Sequence, residues 1–291
     1  MFKGSIVALV TPFNNDAIDE KKLRELIEFH IKNGTAGIVP CGTTGESATL
    51  TYEEHDKVIE IAVEQAKGRI PIIAGTGSNS TQEAVVLTKH AEKVGANASL
   101  QVAPYYNKPT QKGLYEHFKA IAEATKLPMI LYNIASRTGV NIEPETIARL
   151  AHDCKTIVAV KEASGNLDQM SRIKLLCPNN FDLLSGDDAL TLPVLSIGGT
   201  GIISVVANIV PGDVAALVSE FQRGNLSGAQ ALHYKLAPLV KAMFIETNPI
   251  PLKTAMGLMK LCAPDLRLPL CEMLPENLEK LKKALKEYKL I

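Results

Sequence analysis

Short apolar runs alternate with amphipathic helical stretches along most of this 291-residue chain, and that alternation restricts the fold more than anything else in it. Eight runs read as strands: Ser5 to Val10, Gly37 to Val39, Ile70 to Ala74, Ala98 to Val102, Met129 to Tyr132, Ile157 to Val160, Asp182 to Leu184 and Ile202 to Val205. Ile157 to Val160 is β-branched and apolar throughout, the pattern of a strand buried on both faces of a parallel sheet. Each run is followed by a helical stretch. The spacing predicts an α/β fold, a closed (β/α)8 TIM barrel over residues 1–224. An open doubly wound sheet shares most of the pattern, but the strand count and the length favour closure.

The helices carry their own punctuation. Asp19 caps a run that stops at Asn33-Gly34, Thr51 with Glu54 and Ser80 with Glu83 make two capping boxes, and Pro144 stands where a first helical residue belongs. Asp187 and Asp188 read as helix-capping carboxylates. Beyond Asn225 no strand pattern appears. Leu226 to Phe244, Pro251 to Lys260 and Pro275 to Tyr288 read as a three-helix extension over residues 225–291.

Charge excludes some partners. Thirty-one basic residues balance 31 acidic ones, with no basic stripe, so nucleic acid is not expected. The apolar stretch near the N-terminus is too short to span a bilayer and lacks a cleavage pattern, which points to a cytoplasmic protein off the membrane. Five cysteines without a C-x-x-C pair read as reduced thiols, and the scattered histidines offer no metal-ligand spacing. Gly75-Thr76-Gly77 lacks the third glycine of a dinucleotide fingerprint. Neither a metal nor an organic cofactor is expected.

Active sites of such barrels lie at the C-terminal strand ends. Lys161 stands at the end of the Ile157 to Val160 run, where loss of hydration disfavours the ammonium and favours a free amine able to attack a carbonyl. The alternatives are a lysine that snorkels outward or pairs with Glu162. Tyr132 ends another strand and offers a proton. Arg137 offers a planar fork for a carboxylate, and Gly42-Thr43-Thr44-Gly45 offers backbone N–H groups and hydroxyls to an anion. Taken singly, each fits a structural role as well. Together they are equipment for carbonyl chemistry on an acidic keto compound.

Five motifs in order make a more specific resemblance: G-T-T-G-E-S at Gly42 to Ser47, Y-Y-N-K-P at Tyr105 to Pro109, Y-N-x-x-S-R-T-G at Tyr132 to Gly139, V-K-E-A-S-G-N at Val160 to Asn166 and S-G-D-D at Ser185 to Asp188. They resemble the family of dihydrodipicolinate (4-hydroxy-tetrahydrodipicolinate) synthases, in the pyruvate-dependent class I aldolase superfamily that includes N-acetylneuraminate lyase. The resemblance implies condensation of pyruvate with L-aspartate 4-semialdehyde in the diaminopimelate route to lysine, without a cofactor. Lys161 would form the Schiff base, and Tyr132, Thr43 and Tyr106 would relay protons, Tyr106 reaching across the interface of a homodimer that pairs into a homotetramer. Thr44 with Thr43 would hold the pyruvate carboxylate and Arg137 that of the semialdehyde, with Gly186 and the Ile203 carbonyl completing the site.

The alternative within the superfamily is a lyase or aldolase acting on a keto-sugar acid such as N-acetylneuraminate, against which Arg137 tilts. Outside it stands a non-catalytic small-molecule sensor, which would need no imine-forming amine. Ala135 occupies a position where the family commonly has proline. Ser47, Ala48, His55, Asn79, Glu83 and Tyr105 resemble the family's lysine-feedback pocket, with Tyr52 where some inhibited members have histidine. Read from the chain alone, His55 and Glu83 are solvated first-turn residues of two capped helices.

Overall fold

The computed structural model describes residues 2–291. Its barrel strands are β1 (Gly4–Ala8), β2 (Gly37–Val39), β3 (Ile73–Gly75), β4 (Ala98–Val102), β5 (Met129–Asn133), β6 (Ile157–Glu162), β7 (Asp182–Ser185) and β8 (Gly201–Ser204). All pair in parallel, β1 with β2 and β3 through β8 in succession. β1 also pairs with β8, setting Ile6 beside Ile203, and a bridge between Ile38 and Ile72 joins β2 to the start of β3. The ring therefore closes in chain order, as the alternation predicts.

Side-chain alternation divides each strand's residues between two cores. Ile6, Ala8, Val39, Ile73, Leu100, Ile130, Ala159, Leu184 and Ile203 fill the barrel interior. Their neighbours Val7, Ile38, Val160, Leu183 and Ile202 turn outward against the helices. Those helices are α1 (Glu20–Lys32), α2 (Tyr52–Ala66), α3 (Thr81–Lys93), α4 (Gln111–Ala124), α5 (Pro144–Asp153), α6 (Leu167–Leu176), α7 (Thr191–Ser196) and α8 (Pro211–Gln222). Thr51 and Glu54 form a reciprocal capping box at the start of α2. The second box is only half formed. Ser80 Oγ accepts from the Glu83 N–H, but the Glu83 carboxylate is drawn away by the Tyr52 hydroxyl at 2.7 Å and by Ser78.

Several details depart from the sequence reading. β6 runs on through Lys161 and Glu162, because the main chain keeps its ladder whatever the side chains: Lys161 lies opposite Tyr132 and Leu184, and Glu162 opposite Asn133 and Ser185. Phe13–Asn14 and Ala17–Ile18 form a small hairpin whose two turn residues, Asn15 and Asp16, have φ of 50° and 66°, a conformation these polar residues tolerate better than most. Asp187 caps as expected, accepting from Ala189 N at 2.9 Å. Asp188 does not. It is buried and accepts from Ser204 and from the N–H groups of Val205 and Val206, fixing the end of β8.

After α8 the chain adds α9 (Leu226–Met243), α10 (Ile250–Leu258) and α11 (Pro275–Glu287). Leu239, Met243, Leu252, Met256, Leu281 and Leu285 join the same apolar cluster as Val7, Ile38, Ile59 and Leu217, so the added helices share a core with the barrel. One ion pair lies inside this junction. Lys253 Nζ of α10 sits 2.6 Å from Glu46 Oε1 in the loop after β2, both side chains wholly inaccessible, and donates also to the Thr11 carbonyl at 2.9 Å. Burial lowers the Lys253 amine and Glu46 opposes that shift. Arg267 adds charge at the rim through Glu54 and Asp16, and Phe13 lies within 4.4 Å of both cationic groups.

Removing one partner of a wholly buried pair strands the other charge, which costs about 3–5 kcal/mol. Lys253→Met is expected to lose about that much in urea denaturation, whereas Lys283→Ala, breaking an exposed pair with Glu287 on α11, should lose less than about 1 kcal/mol. Equal, small losses in both variants would refute the assignment. Acid stability supplies a second measurement. His30 and His117 are buried against Thr35 and Thr81, and burial lowers their imidazoles to about 3 and about 4. Protons therefore bind the unfolded chain first, so this contribution is whole above the ordinary value of 6.5 and fades as pH falls toward 4. Unfolding free energy should decline over that window, and His117→Gln should flatten the decline.

Candidate active site

Strand geometry decides where the reactive amine points. Ala159 faces the barrel interior, so Lys161, two residues on, faces it too, while Val160 and Glu162 face outward. Lys161 is 5% exposed, and its Nζ lies 4.1 Å from the centre of the Tyr132 ring, the residue beside it on β5. The alternative pairing with Glu162 is absent for that reason. Glu162 accepts instead from Asn133 at 3.0 Å, from Gln169 at 3.1 Å and from the Ser164 N–H at 2.8 Å. Among the described residues Lys161 makes no ion pair with a carboxylate.

Gly186 follows β7 and donates its N–H to the Glu162 carbonyl at 2.8 Å. A Cβ there would stand 2.7 Å from Ala163 Cβ and 3.2 Å from Lys161 Cε, so the missing side chain is the space through which the lysine passes. Ile203 belongs to the same interior cluster as Tyr132 and Leu184.

The loop after β2 brings the hydroxyls. Cys41 and Glu46 both have positive φ, 55° and 53°, and the turn between them is closed by N–H donation from Gly45 to Gly42 and from Glu46 to Thr43. Lys253 and Thr11, the latter donating to the Gly45 carbonyl at 2.7 Å, hold it from below. Thr43 lines a cavity of about 630 Å³ together with Tyr132, Arg137 and Asn248. Thr44 is buried and accepts a hydrogen bond from Asn248 Nδ2 at 3.0 Å. Arg137 rides on a short helical turn, Ala135–Thr138, which the sequence reading took as loop; it is exposed at the cavity mouth and donates from Nη2 to the Asn248 carbonyl at 3.3 Å.

The same cavity runs on past Ser47, Ala48, His55, Glu83 and Tyr105. His55 is buried rather than solvated, its Nε2 2.8 Å from the Gly75 carbonyl, and burial lowers its imidazole. Glu83 is held by Tyr52 and Ser78, while burial and the Glu83 charge raise the Tyr105 phenol. Asn79 stands beside this wall, donating to the Tyr105 carbonyl at 3.2 Å.

Lys161, Thr44, Gly186, Ile203 and Asn79 are not among the residues lining the cavity, and a sixth expected residue is not brought in at all. Tyr106 is 90% exposed, with φ of 70°, and does not line the cavity of its own chain. Conversely, sequence reasoning missed Asn248 and Lys253. The signal for the first was an Asn-Pro pair between two helices, a turn mark that says nothing of a site. For the second there was none. Among the described residues, no group of three His, Cys, Asp or Glu side chains is placed to hold a metal ion.

The model of the dihydrodipicolinate synthetase family matches residues 1–288. A 4-hydroxy-tetrahydrodipicolinate synthase of Syntrophus aciditrophicus is 60% identical over 291 residues, the full length of both chains. Dihydrodipicolinate synthase from Aquifex aeolicus superimposes with a TM-score of 0.98 at 54% identity, covering 99% of each chain. The chloride-inhibited synthase of Acinetobacter baumannii, complexed with pyruvate, gives 0.97 at 45% identity over the whole of both. With matches of this length and a shared barrel, the chain belongs to the dihydrodipicolinate synthetase family.

Proposed function

We propose that this enzyme condenses pyruvate with L-aspartate 4-semialdehyde, as 4-hydroxy-tetrahydrodipicolinate synthase, through a Schiff base on Lys161. The observation that carries the site assignment is a buried amine without a carboxylate partner, 4.1 Å from the Tyr132 ring. Among the described residues no carboxylate pairs with it, so no ion pair has to be broken before it meets a keto carbon.

The chemistry follows from that amine. It adds to the keto carbon of pyruvate, and the carbinolamine loses water to give a protonated imine. That imine draws electrons from the methyl group, which gives up a proton and leaves an enamine. The enamine carbon bonds to the aldehyde carbon of the semialdehyde, whose oxygen takes a proton to become a hydroxyl. The substrate's own amine then attacks the imine carbon, closes the ring and expels Lys161 as the free amine.

Tyr132 and Thr43 carry the protons in this reading, supported by their place on the cavity wall. Thr44 and Thr43 take the pyruvate carboxylate, and Arg137 takes that of the semialdehyde at the mouth. Gly186 keeps the path of the lysine open, and the Ile203 carbonyl orients it. Tyr106 serves the site of a second copy across a homodimer interface, itself paired into a homotetramer; its 90% exposure, next to the half-open Tyr105 and Tyr52, supports an aromatic face meant for covering. The far end of the cavity takes lysine as a feedback ligand, its ammonium on Glu83. Residues 1–224 form the catalytic barrel and 225–291 an extension that braces it. No described helix is long and apolar enough to cross a membrane, and free thiols, Cys271 among them exposed, suit the reducing cytoplasm.

Pyruvate and borohydride test the assignment directly. The trapped adduct should map to Lys161, vanish in Lys161→Ala and persist in Tyr132→Phe, which loses about 10²–10⁴-fold in turnover for want of its proton. An adduct on another lysine would refute the site. Turnover of a keto-sugar acid without condensation of the semialdehyde would hand the chain to the lyase reading.

A further inference from the structure

Two charges taken wholly out of water return little net stability, so a fold that keeps such a pair has another use for it. Lys253 of α10 and Glu46 of the turn after β2 are such a pair, with both side chains inaccessible. The Lys253 amine donates to Glu46 Oε1 at 2.6 Å and to the Thr11 carbonyl at 2.9 Å, and it lies 4.1 Å from the centre of the Phe13 ring. Glu46 Oε2 accepts the Arg267 N–H at 3.2 Å. Both acceptors of the lysine lead to one turn. The Glu46 N–H donates to the Thr43 carbonyl at 3.1 Å, and the Thr11 hydroxyl donates to the Gly45 carbonyl at 2.7 Å. Thr43 and Thr44 therefore directly precede two residues that are tethered, by separate routes, to a single amine. The turn needs that hold. Cys41 and Glu46 are left-handed, with φ of 55° and 53°, a conformation that such residues keep only where their surroundings enforce it.

We propose that Lys253 is a positioning residue for turnover: through Glu46 and Thr11 it fixes the turn that presents Thr43, and with it the hydroxyl by which that threonine passes protons. The inference rests on the condensation reading above. Lys253 is not among the residues lining the cavity, so whatever it does for the reaction it does through others. Thr43 does line it. Proton transfer is sensitive to the placement of the transferring group, and a displacement of an ångström costs up to about a hundredfold in rate. Loss of the lysine charge leaves the Glu46 carboxylate buried without its cation, and the carboxylate regains solvation only by moving, which moves the N–H that holds the Thr43 carbonyl. The C-terminal extension then has a part in the rate of the reaction as well as in the stability of the fold.

The experiment measures kcat at saturating pyruvate and semialdehyde, beside unfolding in urea, for Lys253→Met and for the double variant Glu46→Gln with Lys253→Met, in which no charge is stranded. Lys253→Met should lose about ten- to a hundredfold in kcat while borohydride still traps pyruvate on Lys161. The double variant should regain most of the stability that the single one loses and yet stay slow. Recovery of kcat together with stability would overturn the proposal, leaving the pair a structural brace, and so would a natural kcat in either variant. Thr43→Val supplies a second readout. It should lose at least as much kcat by itself, and adding Lys253→Met to it should cost little more, because both changes disable one hydroxyl. A full second loss would place the effect elsewhere and overturn the proposal. Should Lys253→Met fail to fold, the double variant decides, alone and combined with Thr43→Val. A natural enzyme that traps no pyruvate on Lys161 sinks the reaction reading, whereas trapping and turnover that ignore the loss of Lys253 sink the positioning role alone.

Discussion

A strand buried on both faces has no neutral place for a polar side chain, and β6 must put two consecutive ones somewhere. Alternation settles it: Lys161 goes into the barrel and Glu162 goes out, and no rotamer of either can bring them together. Each then needs its own solution. Glu162 finds three N–H donors on Asn133, Gln169 and Ser164. Among the described residues Lys161 finds only an aromatic face at 4.1 Å and the gap left by Gly186. A cation held over a ring is attracted to it, but far more weakly than to a carboxylate. The parallel register that sets Lys161 beside Tyr132 thus separates the lysine from its natural counter-ion and supplies its neighbour in one step.

A ring of strands places side chains well, but the loops above it need fixing from elsewhere. Here the fixing comes from the far end of the chain. Glu46 belongs to the turn that presents Thr43 and Thr44, and its charge is matched by Lys253 more than two hundred positions later. Asn248, in the turn just before α10, reaches Thr44 itself. A buried ion pair is a poor source of net stability, since desolvation takes back most of the attraction. What it supplies is uniqueness: with both groups at zero exposure, any register of α10 that misplaces Lys253 leaves two naked charges. The extension in that sense helps to shape the candidate site.

These two devices differ in how far they could be read from the residues. All eight strands and the closure of the ring were legible, because period-two burial and helix caps are local signals that survive in any tertiary setting. Lys161, Tyr132 and Arg137 were legible as strand-end residues on the same rim. The extra length of β6 was not, because Lys161 and Glu162 look polar in sequence and only the neighbours in the sheet say that they are paired. The half-formed cap at Ser80 went unseen for the same reason: Glu83 has the right spacing, yet Tyr52 and Ser78, from outside the helix, hold its carboxylate more firmly than one main-chain N–H would. Asn248 and Lys253 depend wholly on contacts between segments far apart in the chain, which no local pattern records.

The Glu83 end of the cavity shows what such a capture does to binding. The carboxylate is already engaged by two hydroxyl donors, and the Tyr52 phenol is more than half exposed, so it leaves that bond at little cost in packing. A ligand ammonium arriving there exchanges a neutral donor for a charged one, roughly doubling the strength of the hydrogen bond. Its net gain is the difference, not the whole, and a side chain at position 52 without a hydroxyl would leave more of the carboxylate free. Beneath it, His55 is fixed to the Gly75 carbonyl, and Gly75 abuts the carbonyl of Cys41 at the root of the Thr43–Thr44 turn. From the other side Lys253 holds the same turn through Glu46, and Thr11 holds it through the Gly45 carbonyl. The two ends of the cavity therefore share one wall, the Cys41–Glu46 turn with Gly75 packed on its root.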